Sequence, residues 1–461
     1  MRRMAWLGES VPSFCRFVAA VFMLCLSHAP SFSQKVVAGY YPSWLRMTLP
    51  ATKVQFENLT HVVHAFAWPE GSGKVSMYGD LLYPELVTAT HRAGKKILIA
   101  LGGWGQSSGF SPMAAEVSTR QTFIDNVMKF CDEQGYDGID IDWEYPATAA
   151  DRENLNHLVR ELRRAFLERG KSWLLTMAVP ASHRSGQWFD CDSLRQYVDW
   201  FGCMTYDFMG SWVSIATHNS ALYPHASWTT GSVHEGVEYL LLTRAVPPAQ
   251  VLLGIPFYGR GCNATGLFQP NTGGNAEYYY SQVQPKIGNG WDYFWDDTSK
   301  VPYLMNTTRT KFISFDDTTS VRLKCEYSKQ KGLAGVMIWA LGQDLVANNQ
   351  PLLQTVGRST GLATHVEDFG SETSPTVLLL GHYPNPGNEH ITMAFRLTKQ
   401  DHVTLEVFNT RGEKAATLLD AHRAPGYHEI RFPAKDLPSG VYIYRLQGSH
   451  FSKSGKVTIL K

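Results

Sequence analysis

A short run of acidic residues carries the clearest chemical signal in the chain: Asp137-Gly-Ile-Asp140-Ile-Asp142-Trp143-Glu144. Side chains alternate between the two faces of a β-strand, so Asp140, Asp142 and Glu144 would share one face, while two isoleucines and Trp143 share the other. Neighbouring carboxylates and burial both raise the pKa of a carboxyl group. A glutamic acid kept protonated near neutral pH can act as a general acid, so the run predicts a catalytic site with Glu144 as proton donor.

Two other interpretations of the acidic run are less favourable. A solvated acidic loop would not place isoleucine and tryptophan between its carboxylates. A calcium-binding loop needs a different spacing of its ligands and a central glycine, which this run lacks. We therefore expect catalysis here, and neither a metal nor a cofactor.

The acidic run belongs to the fourth of eight short apolar segments that alternate with helical patterns. Near-continuous apolar strands separated by helices indicate a parallel sheet covered on both faces, and eight such units over about 325 residues fit a (β/α)8 barrel. In this fold Glu144 would lie at the carboxyl end of its strand, where barrel active sites are found. The predicted strands are Val36–Tyr41, His61–Ala67, Lys96–Gly102, Gly138–Trp143, Leu174–Pro180, Trp200–Tyr206, Val251–Tyr258 and Ala334–Trp339.

The segments outside the barrel differ from it in composition. Residues 1–33 combine three arginines, a short apolar core and small residues before Gln34, which predicts a signal peptide. The barrel would then occupy residues 34–359, with a Gly-, Asn- and Tyr-rich insertion over about residues 261–311, between its seventh and eighth strands. No later segment is long and apolar enough to predict a membrane span in the mature protein.

The last part of the chain predicts a second domain. Residues 360–376 are small and polar and indicate a linker, whereas residues 377–461 alternate short strands with turn signals. A segment of this kind predicts a small antiparallel β-sandwich. The fold class predicted for the whole chain is therefore an α/β barrel followed by this sandwich.

Composition excludes some functions. The 461 residues contain 42 Lys and Arg against 41 Asp and Glu, which argues against a nucleic-acid binder. Five cysteines follow the predicted signal peptide, an odd number with no disulfide framework and no zinc-site spacing, and their pairing stays open.

The acidic run, as D-x-x-D-x-D-x-E on a barrel strand, resembles the signature of glycoside hydrolase family 18, the chitinases. The resemblance extends over residues 35 to about 358, because other predicted strand ends match as well. In one place the chain departs from the family, since Ala100 stands where a serine is usual; we expect weaker support of the acidic strand there, but not inactivity. The other matching segments are Gly39–Trp44, Phe66, Ala100–Trp104, Met204–Asp207, Gly210–Trp212, Gly254–Arg260 and Trp339.

The resemblance implies a mechanism in which the substrate's own 2-acetamido group is the nucleophile. Glu144 would be the general acid and base, Asp142 would orient the acetamido N–H, and Asp140 would share a proton with Asp142. Tyr206 would donate to the acetamido oxygen. Asp137, out of phase with the other carboxylates, would brace the backbone.

The resemblance also implies a substrate-binding cleft. Asp207 and Arg260 would bind sugar hydroxyls, and Trp339 would form the floor under the reacting sugar. Three other tryptophans would stack on neighbouring sugars. The complete set of implied binding residues is Tyr40, Trp44, Phe66, Gly103, Trp104, Met204, Asp207, Trp212, Tyr258, Arg260 and Trp339.

These features together predict a secreted, monomeric chitinase that acts on chitin or chito-oligosaccharides. An endo-β-N-acetylglucosaminidase acting on N-glycans has the same chemistry and stays open as an alternative. A catalytically silent, chitinase-like lectin is disfavoured because Glu144, Asp142 and Tyr206 are all present.

The C-terminal segment has no tryptophan, so it lacks the aromatic row expected of a chitin-binding module. It resembles instead the sorting domain of cargo exported by the type IX secretion machinery. That resemblance implies an extracellular protein or one attached to a bacterial cell surface. The matching segments are Tyr383–Pro386, Leu405–Gly412, Leu437–Tyr444 and Lys456–Lys461.

Overall fold

The structure, a computed structural model, describes residues 35–225, 230–362, 377–383, 390–397, 399–435, 437–449 and 451–461. The predicted signal peptide, residues 1–33, and nearly all of the predicted linker lie outside the described residues. The chain divides into two compact units, Met1–His365 and Val366–Lys461. The domain boundaries drawn from the sequence stay predictions.

The strands of the first unit fall into two groups, a parallel set and an antiparallel set that interrupts it. In chain order they are β1 (Val36–Pro42), β2 (His61–Pro69), β3 (Val75–Met77), β4 (Lys96–Gly102), β5 (Gly138–Asp142), β6 (Leu174–Pro180), β7 (Trp200–Met204), β8 (Val251–Pro256), β9 (Tyr258–Asn263), β10 (Ala276–Tyr279), β11 (Trp291–Asp296), β12 (Val301–Asn306), β13 (Lys311–Ser314) and β14 (Gly335–Trp339).

Eight parallel strands close into a barrel in the order β1-β2-β4-β5-β6-β7-β8-β14. Closure comes from β1, which pairs in parallel with β14 through Ala38 and Met337 and with β2 through Tyr40 and Val63. The short strand β3 adds an antiparallel edge to β2. The predicted (β/α)8 barrel is thereby confirmed.

Helices cover the outside of the barrel. The longest, α4, buries Leu155, Leu158, Leu162 and Phe166 along one face, as its 3.6-residue period requires. The helices are α1 (Pro84–Arg92), α2 (Phe110–Ala115), α3 (Val117–Gln134), α4 (Ala149–Glu168), α5 (His183–Gly186), α6 (Cys191–Leu194), α7 (Val233–Glu238), α8 (Tyr280–Val283), α9 (Thr318–Gln330) and α10 (Pro351–Thr360).

Strand alternation separates a structural layer from a chemical one. Along β5, Ile139 and Ile141 pack into the large core between the barrel and its helices, and Trp143 stacks on Phe110 with ring centres 5.1 Å apart. The residues between them point into the barrel, where Tyr40, Ala100 and Met337 form a separate small cluster. The acidic face of the strand is therefore enclosed by the barrel interior.

The insertion is a five-stranded antiparallel sheet in the order β10-β9-β13-β12-β11. It spans residues 258–314, slightly more than the 261–311 expected from composition. The apolar run predicted as one strand, Val251–Tyr258, is divided at Phe257: β8 stays in the barrel, and Tyr258 begins the first strand of the insertion.

The second unit contains two antiparallel sheets, which confirms the predicted β-sandwich. Their orders are β15-β16-β19 and β18-β17-β20-β21, and residues of both sheets, such as Phe395 and Leu405, share one buried cluster. The strands are β15 (Val377–Tyr383), β16 (His390–Leu397), β17 (Asp401–Asn409), β18 (Lys414–Arg423), β19 (Gly426–Pro433), β20 (Gly440–Gln447) and β21 (Ser452–Ile459).

Two further findings concern the described part of the chain. The five cysteines that follow residue 33 are all buried free thiols: Cys131, Cys191, Cys203, Cys262 and Cys325. Among the described residues, no helix combines the length and apolarity needed to cross a membrane.

Candidate active site

The acidic strand ends in the interior of the barrel. Asp140 and Asp142 are buried on β5, and Glu144 follows the strand at its carboxyl end, half-buried. Asp137 precedes the strand, and its Oδ2 accepts hydrogen bonds from the main-chain N of Ile97 and from His91 Nε2, both at 2.8 Å. Asp137 therefore ties β5 to the start of β4, far from the other three carboxyls along the strand.

Asp140 is held by two hydroxyl groups from neighbouring strands. Tyr40 donates to its Oδ2 at 2.8 Å and Thr176 donates to its Oδ1 at 2.5 Å. Burial raises the pKa of Asp140 to about 6, although both hydrogen bonds act in the opposite direction. Ala100 lies beside Asp140 in the register of β4 and β5 and has no hydroxyl to offer, so Tyr40 and Thr176 supply the polar support.

Asp142 carries a buried oxygen without a hydrogen-bond partner. Among the described residues, nothing donates to its Oδ1. Burial raises the pKa of Asp142 well above its ordinary range, and the carboxyls of Glu144 and Asp140 raise it further. A buried acceptor without a donor is costly to stability, so its presence in a barrel interior points to a role in binding.

Glu144 has the pKa of a group that can both give and take a proton near neutrality. Burial raises its pKa to about 7, a hydrogen bond from Tyr145 lowers it, and the carboxylate of Asp207 raises it. Its main-chain N donates to Ser107 Oγ at 2.9 Å, and the Ser107 hydroxyl contacts the carbonyl oxygen of Asp142 at 3.2 Å. Ser107 therefore fixes the backbone on which both carboxyls stand.

Tyr206, Tyr258 and Asp207 form the opposite wall. Tyr206 and Tyr258 contact edge to face, with ring centres 6.1 Å apart. The pKa of the Tyr206 hydroxyl is raised by burial and then by Asp142 and Asp207, so the hydroxyl is a donor at any ordinary pH. Asp207 Oδ1 accepts from Tyr258 Oη and Arg260 Nε, both at 2.5 Å. The sequence predicted Asp207 and Arg260 as separate sugar ligands, and the structure pairs them with each other.

An aromatic cluster lies next to the carboxyls. Trp339 stacks on Phe66 with ring centres 5.6 Å apart, and Tyr40 lies 5.7 Å from Trp339. Trp44 is 6.4 Å from both Phe66 and Trp339. Gly103 passes directly over Phe66, since a Cβ at this position would lie 2.7 Å from the ring. A glycine is therefore required for the backbone to approach the cluster.

Three tryptophans at strand ends are unusually exposed. The exposed fraction is 48% for Trp44, 79% for Trp104 and 57% for Trp212. The guanidinium of Arg260 lies 5.0 Å from the centre of the Trp212 ring, which holds that exposed ring in place. Met204, at the end of β7, packs into the small cluster inside the barrel.

The structure thus gathers nearly all of the predicted site residues at the carboxyl ends of the barrel strands; Asp137 alone lies at the opposite end. It also adds three residues that sequence reasoning missed: Thr176, Ser107 and Tyr145. Thr176 had a signal, because it is a lone hydroxyl in the apolar strand β6 and stands directly opposite Asp140 in the register. Ser107 lies in a loop whose path the sequence did not reveal. Among the described residues, no group of three His, Cys, Asp or Glu side chains is placed to hold a metal ion.

A barrel with buried carboxyls at its strand ends and exposed aromatics around them defines a glycoside hydrolase. The chain belongs to the glycosyl hydrolases of family 18, whose family model matches residues 36–344. A second model, the secretion system C-terminal sorting domain, matches residues 382–460. The protein is therefore a secreted or cell-surface glycoside hydrolase.

Curated relatives agree with this assignment. An endochitinase of Manduca sexta is 32% identical and covers 78% of this chain and 74% of its own length. Chitotriosidase-1 of Mus musculus is 31% identical, and the match covers 84% of this chain and 93% of that protein. Chitinase A1 of Niallia circulans is 34% identical over 54% of this chain, but the match spans only 40% of that protein.

Solved structures show the same barrel. The group IV chitinase of Ostrinia furnacalis, in complex with allosamidin, superposes with a TM-score of 0.66 at 28% identity, over 71% of this chain and 99% of that one. A family 18 N-acetylglucosaminidase from Paenibacillus barengoltzii superposes with a TM-score of 0.64 at 29% identity, over 70% of this chain and 99% of that one.

Proposed function

We propose that the protein hydrolyses β-1,4 linkages between N-acetylglucosamine units of chitin, with retention of configuration and with the substrate's acetamido group as nucleophile. The observation that carries the proposal is the buried Asp142 Oδ1, an acceptor to which no described residue donates, beside a glutamic acid whose pKa is raised to about 7. An acetamido N–H is a donor that only an N-acetylated sugar supplies. Neither cellulose nor starch could satisfy this oxygen in the same way.

The proposed first step breaks the glycosidic bond. Glu144 gives its proton to the leaving oxygen while the acetamido carbonyl oxygen attacks the anomeric carbon, which forms a cyclic oxazolinium. Asp142 accepts the acetamido N–H and stabilises the positive charge that develops on the group. The Tyr206 hydroxyl donates to the acetamido oxygen and holds it in line for attack.

In the second step Glu144, now a carboxylate, takes a proton from water as the water attacks the anomeric carbon. The ring of the oxazolinium opens, and the product keeps the configuration of the substrate. Asp140 supports the cycle by sharing a proton with Asp142, since the raised pKa values of both groups make a doubly ionised pair unfavourable.

The surroundings of the carboxyls favour a linear chain of sugars. Trp339 would form the floor under the reacting sugar, and the exposed Trp44, Trp104 and Trp212 would stack on its neighbours. In this proposal Asp207 and Arg260 act as a pair, since their mutual bond leaves fewer of their atoms for sugar hydroxyls. Tyr40 and Tyr258 hold the two carboxylates that they contact.

The proposal is tested by incubating the full-length protein with chitohexaose and, separately, with a high-mannose glycoprotein. Mass spectrometry identifies the products and NMR their initial anomeric form. Short chito-oligosaccharides formed first as β-anomers support a retaining chitinase. Release of intact glycans would instead identify an endo-β-N-acetylglucosaminidase acting on N-glycans. Release of single sugars would identify an exo-acting N-acetylglucosaminidase. Binding without any product would indicate a lectin.

We also infer that export uses a signal peptide over residues 1–33 and then the type IX secretion machinery, with the C-terminal unit as the sorting signal. The support is the match of residues 382–460 to a secretion sorting domain. In a bacterium that has this machinery, the full chain should be found outside the cell or on its surface. A variant that ends at residue 376 should stay in the periplasm, and unchanged export of this variant would contradict the inference.

A further inference from the structure

A buried polar segment that the proposed mechanism does not use lies behind the wall formed by Tyr206 and Asp207. Residues 217–220, Thr-His-Asn-Ser, are almost completely buried, although all four are polar. Each side chain has a partner in a different part of the molecule. Ser220 Oγ donates to the carbonyl oxygen of Thr205 at 2.6 Å and accepts from Lys324 Nζ at 2.7 Å, and this lysine also contacts Asp316 at 2.7 Å.

Asn219 uses both its side chain and its backbone as a connector. Its Oδ1 accepts from the main-chain N of Asp207 at 3.2 Å, and its Nδ2 donates to the carbonyl oxygen of Tyr258 at 3.2 Å. Its own carbonyl oxygen accepts from the main-chain N of Phe208 at 3.1 Å, and its N donates to Ser314 Oγ at 3.0 Å. If the amide were turned over, its NH2 group would face the main-chain N–H of Asp207 and its oxygen would face the carbonyl oxygen of Tyr258. Its orientation is therefore fixed.

The residue that Asn219 holds has an unusual backbone. Asp207 has a φ of 59°, the left-handed region that non-glycine residues seldom adopt. The hydrogen bond that its main-chain N donates to the buried amide oxygen of Asn219 helps to keep it in that conformation. Tyr258, the other residue that Asn219 holds, donates its hydroxyl to the carboxylate of Asp207. Asn219 therefore fixes both ends of one hydrogen bond in the wall of the site.

The geometry points to Asn219 as a positioning residue that sets where the Asp207 carboxylate stands relative to Glu144. This inference rests on the proposed function, because it assigns Asn219 a part in the same reaction. It has a measurable consequence beyond folding, since the carboxylate of Asp207 is one of the groups that raise the pKa of Glu144. The other groups acting on Glu144 are Asp142, Tyr145 and Tyr206. The groups facing Asp207 are Tyr145, Tyr206, Tyr258, Arg260 and Glu277.

The test compares Asn219→Ala with a matched control, Thr217→Val, in the full chain. Thr217 lies two residues away and is also buried, and the hydrogen bond that the variant loses is to Thr230 rather than to Asp207 or Tyr258. For Asn219→Ala we expect kcat on chitohexaose to fall roughly 10- to 100-fold and the alkaline limb of its pH profile to move to lower pH. Thr217→Val should lower thermal stability but keep the wild-type limb.

A second comparison asks whether Asn219 acts through Asp207. Asp207→Asn alone should move the alkaline limb in the same direction, and adding Asn219→Ala should move it no further. An Asn219→Ala enzyme with wild-type kcat and limb would overturn the inference, as would an equal shift in Thr217→Val. If Asn219→Ala and the milder Asn219→Ser both fail to fold while Thr217→Val folds, Asn219 is a folding determinant and the inference is wrong. A wild-type chain that cleaves no chito-oligosaccharide instead contradicts the proposed function.

Discussion

The two units of the chain differ in the aromatic side chains that they leave exposed. The barrel leaves Trp44, Trp104 and Trp212 exposed at the ends of its strands, around the buried carboxyls. In the C-terminal unit, Phe395 and Tyr444 are buried in the shared core of two sheets. Large aromatic rings that stay exposed together indicate a surface that binds an apolar partner. The C–H face of a sugar ring is apolar enough to stack on such rings. The absence of tryptophan already distinguishes the C-terminal segment in the sequence, and aromatic exposure distinguishes the two units in the structure.

The carboxyls of the barrel site also differ from a paired carboxylate in the C-terminal unit. In the barrel, Asp140 and Asp142 are buried where burial raises their pKa. In the C-terminal unit, Glu406 pairs with Arg445 and Lys414, and these neighbours lower its pKa. A raised pKa means that the charged form is disfavoured in the folded state, which a structural ion pair avoids. The carboxyls whose protonation suits general acid and base catalysis therefore lie in the barrel.

The largest effect is expected from Glu144→Gln. The change keeps the shape of the side chain but removes the proton, so kcat on chitohexaose should fall by at least about 10²- to 10⁴-fold, while oligosaccharide affinity is retained. Kinetics and calorimetric titration measure the two quantities. Glu153→Gln, at an exposed position on α4, is the control and should keep wild-type kcat. Near-native turnover by Glu144→Gln would remove the catalytic assignment of the acidic strand.

Asp142→Asn should have a somewhat smaller effect. The amide can no longer stabilise positive charge on the acetamido group, so kcat should fall about 10²- to 10³-fold with a smaller change in KM. The exposed Asp192→Asn is the control for the loss of one carboxylate. An equal loss in kcat/KM that comes entirely from KM would mean that Asp142 binds substrate without assisting the reaction.

Much of the barrel could be predicted from the sequence because strand alternation has a fixed period. That period alone placed Trp143 in the outer core and Asp140 inside the barrel. It failed at Phe257, because the side chains on both sides of that residue are apolar; Pro256, the last residue of β8, was the signal that the barrel strand ends there. At this point the chain passes from the barrel sheet to the sheet of the insertion, while its side chains stay mostly apolar.

The site was predicted less completely, because its supporting contacts join residues that are distant in the chain. Thr176 reaches Asp140 across 36 positions, and Arg260 reaches Asp207 across 53. A sequence shows which side chains could donate, but a single sequence does not show which acceptor each will meet. The residues that we propose to contact substrate were found from their motif, whereas several that hold other residues, such as Thr176 and Asn219, were not.

The buried carboxyls should also reduce stability above neutral pH. Folding raises the pKa of Glu144 from 4.5 to about 7, so the folded state binds more protons than the unfolded state between these values. Stability is therefore lost as pH rises through this window. The free energy of unfolding of Glu144→Gln should exceed that of wild type by about 1–3 kcal/mol more at pH 8 than at pH 4. Urea unfolding at both pH values measures this, and a pH-independent difference would contradict the raised pKa.

The smallest effects compare one aromatic from each unit. Trp104→Ala should weaken binding of chitohexaose roughly 3- to 10-fold, as expected for the loss of one stacking contact, with little change in kcat on short substrates. Phe408→Ala is the partner experiment in the C-terminal unit, where the guanidinium of Arg445 covers the half-buried ring at 4.9 Å. It should leave binding of both chitohexaose and insoluble chitin unchanged.

The pair of variants is informative in either direction. If Phe408→Ala weakens binding to insoluble chitin as much as Trp104→Ala does, the C-terminal unit is a carbohydrate-binding surface in addition to a sorting domain. If Trp104→Ala has no effect on long substrates, its exposure has another cause and the cleft ends closer to Trp339. The expected result, a loss only in the barrel variant, follows because the half-buried Phe408 offers less free surface to a sugar than Trp104, the most exposed of the three strand-end tryptophans.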